Sequence, residues 1–359
     1  MITLYGATGY TGGLIAAVLE REGLPFRLAG RSSSKLAAQS QALASHPNWI
    51  CADVSQSSSL PPLFRDTSLI INCAGPFTDL GERVISMAAV SGVHYLDTTN
   101  ELGFVYRAQT YQRLALKSKA ALVPACAFEV ALADCAAALL AQSLPGPYQS
   151  ADIVYHLTGK GASRGTQLSA LRSLATSWIT YRDGQWTGEV PGRRRKWFDL
   201  VSGRFSALSF PSSDCVTVPN HLQIQQVSTW MTGTPLSTFF APLLVPLFAR
   251  FLRSLPGRLV LWAAGKGRSG RAIRTRDPFE IQVTLENSKG SRSGSLTGSG
   301  PYEITAEIIV YAAKRILEEH FSLAGVLPPA RLLNPSEFIQ ESSKWGVNWG
   351  STAGMKLHA

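Results

Sequence analysis

Short apolar runs alternate with helix-patterned segments through the first third of the chain. Ile2-Thr3-Leu4-Tyr5 is uncharged. It is followed by the small residues Gly6 to Gly13 and then by Leu14-Ile15-Ala16-Ala17-Val18-Leu19. Phe26 to Gly30 is the next apolar run, and others follow at 46–53, 69–77, 92–101 and 120–126. Short apolar runs bounded by turn residues predict buried strands, and strands spaced by helical stretches predict a parallel sheet. A helix from Val130 to Gln142 closes this region. The pattern predicts an α/β fold whose first part, residues 1–146, is a doubly wound parallel sheet.

Beyond Pro145-Gly146-Pro147 the pattern changes. Ala151 to Thr158 predicts a strand, and Gln167 to about Tyr181 a helix. Phe279 to Leu285 and Gly294 to Gly298 predict a hairpin across the polar turn at 287–291. From Pro301 to about Glu319, Ile304, Ile308, Ala312 and Ile316 recur every fourth residue, one apolar stripe of a helix. Residues 147–324 are therefore expected to form a second, α+β domain for substrate and dimerisation. A tail, 325–359, is expected to pack its Pro-rich part (325–339) back on the first domain and to be loose after Lys344.

The first turn carries candidate chemistry. Gly6, Gly9 and Gly12 are spaced Gly-x-x-Gly-x-x-Gly between an apolar strand and an Ala/Leu-rich helix, and a second strand completes the unit. This context predicts a Rossmann dinucleotide site, with the pyrophosphate on bare main chain at the helix N-terminus. Thr8, Tyr10 and Thr11 share the loop and count as cofactor contacts. An NAD site places Asp or Glu at the end of the second strand, yet no acid lies between Glu22 and Asp53. Arg31, Ser32 and Lys35 stand there instead. A guanidinium with hydroxyls suits a 2′-phosphate, so the expected cofactor is NADP. Asp53 ends the third strand and is read either as an adenine neighbour or as the cap of the following Ser-rich stretch. Ala74, Gly75 and Pro76 leave the fourth strand where a nicotinamide ribose would lie. Glu101, at the polar end of the fifth strand, is also counted with the cofactor contacts.

A general acid is less legible. Asp97, Glu101, Glu129 and Tyr10 are candidates, each with a capping or packing role as the alternative, and His156 is expected to be a satisfied histidine. Ser163, Arg164 and Thr166 open a helix and are candidate contacts for a substrate carboxylate or phosphate, with capping as the alternative.

The stretch Pro235 to Trp262 is rich in Phe and Leu and is interrupted by Pro235, Pro242, Pro246, Arg250, Arg253 and Arg258. It is read as too broken for a spanning helix, which needs about 20 apolar residues. Arg193 to Lys196 precede it, and Lys266, Arg268, Arg271, Arg274 and Arg276 follow. Segment 235–276 is therefore expected to form a lid or channel over a large hydrophobic substrate, at a membrane surface or facing an acidic carrier.

Composition adds little that conflicts. The 359 residues carry a net charge of +10, which favours anionic partners. No nucleic-acid-binding signature is present, and nucleic acid is not an expected partner. Five scattered cysteines form no metal or redox motif, and no metal is expected. They suit a reducing compartment, and the first strand starts at residue 2. The expected location is cytoplasmic, with peripheral membrane contact through 235–262; the expected assembly is a homodimer.

Together these motifs resemble the saccharopine dehydrogenase-like oxidoreductases, in the branch that includes trans-acting enoyl reductases. The resemblance rests on Gly-Ala-Thr-Gly-Tyr-Thr-Gly-Gly (6–13), Ala-Gly-Arg-Ser (29–32), Asn-Cys-Ala-Gly-Pro-Phe (72–77) and His-Tyr-Leu-Asp-Thr-Thr-Asn-Glu (94–101). Gly-Ala-Ser-Arg-Gly-Thr (161–166), Gly-Pro-Tyr-Glu-Ile-Thr-Ala (300–306) and Gly-Val-Leu-Pro-Pro-Ala (325–330) extend it past the cofactor region. The family's Gly-Phe-Asp-Ser-x-Pro-Ser-Asp run is here Ala127 to Asp134, and its Thr-Gly-Glu is Thr99-Asn100-Glu101. The resemblance implies an NADPH-dependent reductase of a C=C or C=N bond in a hydrophobic substrate. The alternatives are a saccharopine-type amino-acid or imine dehydrogenase and a non-catalytic NADPH-binding sensor or scaffold.

Overall fold

The structure is a computed structural model and describes residues 1–158, 164–175, 178–190, 192–266 and 277–353. Its first sheet is built from β1 (Ile2–Tyr5), β2 (Phe26–Gly30), β3 (Trp49–Cys51), β4 (Leu69–Asn72), β5 (His94–Asp97) and β6 (Ala121–Val123). The short strand Gly325–Val326 completes it. The order is 325–326, β6, β5, β4, β1, β2, β3, with every neighbouring pair parallel. All residues of β1, β4 and β6 are buried, which is why these strands read as unbroken apolar runs rather than alternating ones. β3 lies at the edge and leaves Trp49 and Cys51 exposed. Helix α1 (Tyr10–Arg21) buries Gly12, Ile15, Ala16, Val18 and Leu19, one face of a 3.6-residue repeat.

The second sheet is nine-stranded and mixed. Its strands are β7 (Tyr148–Leu157), β8 (Trp178–Arg182), β9 (Gln185–Glu189), β10 (Arg195–Leu200), β11 (Gly203–Ser209), β12 (Ile224–Gly233), β13 (Pro278–Asn287), β14 (Gly290–Ser299) and Asn348–Ala353. The path runs β10, β11, β12, β7, β13, β14, 348–353, with β8 attached to β12 and β9. Only β12 and β7 pair in parallel on this path. Val154, Phe198, Leu200, Ala207 and Trp230 form one core cluster of this sheet.

The compact units are not consecutive in sequence. One comprises Met1–Asn100, Phe104–Phe128 and Tyr302–Leu333; the other comprises Glu101–Gly103, Glu129–Pro301 and Asn334–Ala359. The helix Phe128–Ser143, expected to close the first domain, thus belongs almost wholly to the second unit. Residues 130–137 are all buried, so no polar stripe marks which side packs where. The helix Pro301–Ile316, expected in the second domain, packs in the first unit beside α1. There the Arg21 guanidinium donates to Glu307 at 2.6 and 2.9 Å, and Lys314 pairs with Glu22.

Four other expectations are corrected. The helix expected to reach Tyr181 ends at Ala175, and Trp178–Arg182 is a strand. Asp183 and Gly184, both at positive φ, make the two-residue turn of a hairpin to β9, and the β-favouring Trp-Ile-Thr-Tyr run leads into that turn. The 279–298 hairpin is longer than expected, with ten cross-strand pairs from Pro278 to Asn287, because polar pairs such as Thr284–Ser293 continue the ladder. The prolines do not break 235–262: Pro235–Arg253 is one helix, capped by Thr234 and continuous through Pro242 and Pro246, and Leu255–Lys266 follows. Two prolines remove two backbone donors from a 19-residue helix, too few to end it. Of the described residues after Lys344, Asn348–Ala353 is not loose but a strand paired with β14. The rest of the tail divides: Gly325–Val326 adds to the first sheet, whereas residues from Asn334 belong to the second unit.

Gly294 explains the last strand. A Cβ there would lie 2.1 Å from a ring carbon of Trp349, so the indole lies over bare backbone. Gly294→Ala is expected to destabilise the protein by about 1–3 kcal/mol in urea unfolding, the usual cost of overpacking. Gly188→Ala, where nothing lies within 4 Å, is expected to cost less than about 0.5 kcal/mol. Equal midpoints for the two variants would remove this packing role.

Candidate functional site

The strand order reverses between β1 and β4, and the loops leaving their carboxyl ends lie side by side. The Cys73 amide donates to the Tyr5 carbonyl at 2.8 Å. Gly6, at φ +83°, passes so close that a Cβ would stand 2.8 Å from the Ala74 nitrogen. Gly12 brings α1 down onto the same loop, where a Cβ would meet the Gly6 carbonyl oxygen at 2.3 Å. Gly9 is the extended residue before α1. No side chain caps the helix, and no acid lies in its first turn. Thr8, Gly9 and Tyr10 are exposed, Thr11 is half-buried, and a Cβ on Gly9 would fill space that now holds only the Gly6 carbonyl at 3.2 Å. An uncapped helix start, open space and accessible N–H groups fit a diphosphate.

The far end of such a nucleotide would meet β2. Arg31 is exposed where β2 ends, and Ser32 precedes helix α2 (Ser33–Ala42) with Lys35 exposed in its first turn. No acid lies in that turn, and Ser32 makes no side-chain cap. These cations and hydroxyls fit a 2′-phosphate. Asp53 lies close enough for Arg31 to act on it. Its carboxylate accepts the Ser55 N–H at 2.9 Å, and that bond above all holds it below the usual carboxylate range, with Arg31 a smaller cause. Asp53 thus shapes its own turn at the end of β3. Ala74 donates its N–H to Asn72 Oδ1 at 3.0 Å, and exposed Gly75 and half-buried Pro76 lead into the helix Phe77–Ser91. Tyr10 packs edge-on against Tyr302 at 5.3 Å, and its hydroxyl donates to Glu303 at 3.5 Å. Tyr302 and Glu303 of the 300–306 motif therefore meet the residue that follows Gly9.

The acids separate by what they bond. Asp97 is fully buried, and its Oδ1 accepts the N–H groups of Thr99 (3.0 Å) and Ala125 (2.9 Å). It ties the ends of β5 and β6 together, a scaffold role. Glu101 is buried and belongs to the second unit. His156 stacks on Phe205 at 4.1 Å and meets Thr232 Oγ1 at 2.8 Å; burial lowers its pKa, so it is a neutral packing histidine. Ser163 lies outside the described residues. Arg164 and Thr166 open the helix Arg164–Ala175, but their side chains are not among those described, nor are Lys266, Arg268, Arg271, Arg274 and Arg276.

Within the second unit Glu129, a candidate acid from the sequence, joins a carboxyl cluster whose other members pattern reading missed. The Tyr155 hydroxyl donates to Asp214 Oδ2 at 2.5 Å, and Ser212 Oγ donates to the same oxygen. Among the described residues, Asp214 Oδ1 has no hydrogen-bond partner, and neither does the Thr217 hydroxyl. Burial pushes the Asp214 carboxyl up to about 7 against the Ser212 and Tyr155 bonds, with Asp134 adding to the rise. Glu129, half-buried in the first turn of its helix, is likewise raised to about 7, chiefly by burial and then by Asp214. His221 Nε2 pairs with Asp134 Oδ1 at 2.8 Å. Tyr155 was hidden because it sits in the apolar Ile153-Val154-Tyr155 run, and Asp214 because Pro211-Ser212-Ser213-Asp214 reads as an ordinary turn.

Two outcomes follow from this geometry. Gly12→Ala is expected to abolish NADPH binding by fluorescence titration, Gly13→Ala to preserve it, and Arg31→Ala to weaken NADPH about 10- to 100-fold while sparing NADH. Unchanged NADPH affinity in Arg31→Ala would detach the guanidinium from the 2′-phosphate. Glu129 and Asp214 hold protons in the folded chain that the unfolded chain releases near pH 4. Their contribution to stability is full below about pH 4 and is lost as pH rises to about 7. Asp214→Asn is expected to flatten the dependence of the urea midpoint on pH across that window; an unaltered slope would contradict the raised pKa.

Known proteins align with this arrangement. Residues 2–126 match the saccharopine dehydrogenase NADP binding domain. A trans-acting enoyl reductase of Mycobacterium tuberculosis is 34% identical over 134 residues, covering 36% of this chain and 32% of that protein. A lipid droplet localized protein of Caenorhabditis elegans is 29% identical over 171 residues, covering 44% of this chain and 40% of that protein. The chain spans less than half the length of these curated relatives. The saccharopine dehydrogenase (L-Glu forming) of Saccharomyces cerevisiae superposes with a TM-score of 0.62 at 12% identity, covering 98% of this chain and 99% of that one, a likeness of fold. Residues 2–126 thus carry the saccharopine dehydrogenase NADP binding domain.

Proposed function

We propose that this chain is an NADP-dependent reductase acting on a polarised C=C bond in a hydrophobic, lipid- or polyketide-like substrate. The observation that carries the reading is the NADP-binding family match at residues 2–126, joined to an uncapped helix start and an exposed Arg31. Relatives named trans-acting enoyl reductase support a C=C acceptor, and the lipid droplet relative supports a lipid-like one. Bound NADPH would supply the hydride.

The chain's own task is then to hold the acceptor, exclude water and deliver a proton. Glu129 suits the last role. Its carboxyl is raised to about 7, so at neutral pH it is part protonated and can both give a proton and regain one. Asp214 raises it further through its own charge, and Tyr155 and Ser212 fix Asp214 in place. Asp134, whose Oδ1 meets His221 Nε2 at 2.8 Å, adds to the rise at Asp214.

The test is NADPH oxidation against enoyl, imine and keto substrates of increasing chain length. Enoyl turnover that improves with chain length is expected. Glu129→Gln is expected to lower kcat about 10²- to 10⁴-fold, leave NADPH affinity unchanged and remove the limb of the pH–rate profile near 7. Turnover of short imines alone, or no NADPH oxidation with any acceptor, would overturn the reading.

A further inference from the structure

The helix Pro235–Arg253 is built inside out. Its small or short residues face the protein: Thr238 and Ala249 are buried, with Leu252 beyond them, and Thr238 Oγ1 donates to Ser206 Oγ at 2.8 Å. Its large apolar residues face outward. Leu236, Phe240, Leu243 and Leu247 follow each other at three- and four-residue steps, and Leu255 and Leu259 continue the patch on the next helix. These six are 47–78% exposed. In a water-soluble helix the arrangement is the reverse. Gly257 lets the two helices close tightly, since a Cβ there would lie 2.1 Å from the Phe251 carbonyl oxygen. The result is a helical hairpin with one face on the protein and one broad apolar face in solvent, more than scattered surface leucines would make.

Charge says what covers it. Arg250 and Arg258 are exposed on the hairpin, and no Asp or Glu occurs anywhere from residue 215 to 276. Exposed Arg195 adds a third cation at the rim, its guanidinium 5.8 Å from the Phe239 ring. A second copy of the chain is a poor occupant. A two-fold interface sets the same patch against itself, and the hairpin would meet its own arginines with no carboxylate of its own to answer them. The 19 residues are long and apolar enough to cross a bilayer, but Thr238, Ala249 and Leu252 pack against the protein, which favours a helix lying in the interface. An anionic lipid surface answers both features, taking the apolar face into its acyl boundary and the arginines at its headgroups.

We propose that the hairpin 235–266 seats this protein on an anionic lipid surface, lying in the interface with its outward Leu/Phe face immersed. This holds whatever reaction the chain catalyses. The full chain is mixed with phosphatidylcholine vesicles with and without phosphatidylserine and floated. Wild type is expected to rise with the anionic vesicles. Leu243→Ser with Leu247→Ser is expected to bind about tenfold or more weakly, with NADPH binding intact as the measure of folding. Arg250→Glu with Arg258→Glu, a change of charge alone, is expected to lose the preference for anionic vesicles. A wild-type protein that stays at the bottom of both gradients overturns the proposal. So does a wild-type dimer in analytical ultracentrifugation that the serine pair converts to monomer.

Discussion

The structure depends on how closely two loops pass at the point where the first sheet reverses its order. The Cys73 N–H to Tyr5 carbonyl bond joins the ends of β1 and β4, and Gly6 then crosses within 2.8 Å, by a virtual Cβ, of the Ala74 nitrogen. No side chain larger than hydrogen fits there. That crowding has a purpose only if something must lie against the main chain on the open side. The uncapped start of α1, with Gly9 leaving its surroundings clear, supplies that side. Several helix N–H groups and the aligned peptide dipoles then point at one place, and an anion is what they stabilise. Arg31, Ser32 and Lys35 at the end of β2 extend the same preference to an additional phosphate.

The second unit works by a different constraint, the cost of burying carboxyl groups. Asp214 and Glu129 cannot keep their charge cheaply where they sit, so both hold protons up to about neutral pH. Tyr155 and Ser212 both donate to one oxygen of Asp214, which fixes the group without fully neutralising the penalty. Asp97, equally buried, is used otherwise: two backbone N–H groups converge on one of its oxygens, and it serves the β5 and β6 ends. Acids that look alike in the sequence thus take different roles: Asp97 ties two strand ends together, whereas burial makes Asp214 and Glu129 hold protons.

The first sheet was legible because both of its faces are covered. Its strands read as unbroken apolar runs, and the glycine turn lies between a strand and a helix as the pattern requires. The second unit was legible only in part. Strands β10 to β12 carry Arg, Lys, Gln and Ser on half-exposed faces, so their alternation is diluted, and β8 lies directly after a helix with no proline between. Pro242 and Pro246 suggested a break that the helix tolerates. The helix Pro301–Ile316 was recognised as an element but placed with the wrong unit, since an apolar stripe tells that a helix packs and not on what. The site divides in the same way. Loop residues at strand ends can be placed from spacing alone. Tyr155, Asp214 and Glu129 come together from separate stretches of chain, and no local pattern announces that.

If the β1–α1 turn holds the diphosphate of NADP by main chain, with Arg31 at the 2′-phosphate, a crystal structure of the protein with NADP bound will show it. The diphosphate oxygens are expected within hydrogen-bond distance of the N–H groups at Tyr10 to Gly12, and the 2′-phosphate against the Arg31 guanidinium. A diphosphate lying away from that turn, or a 2′-phosphate open to solvent with Arg31 turned aside, would contradict it.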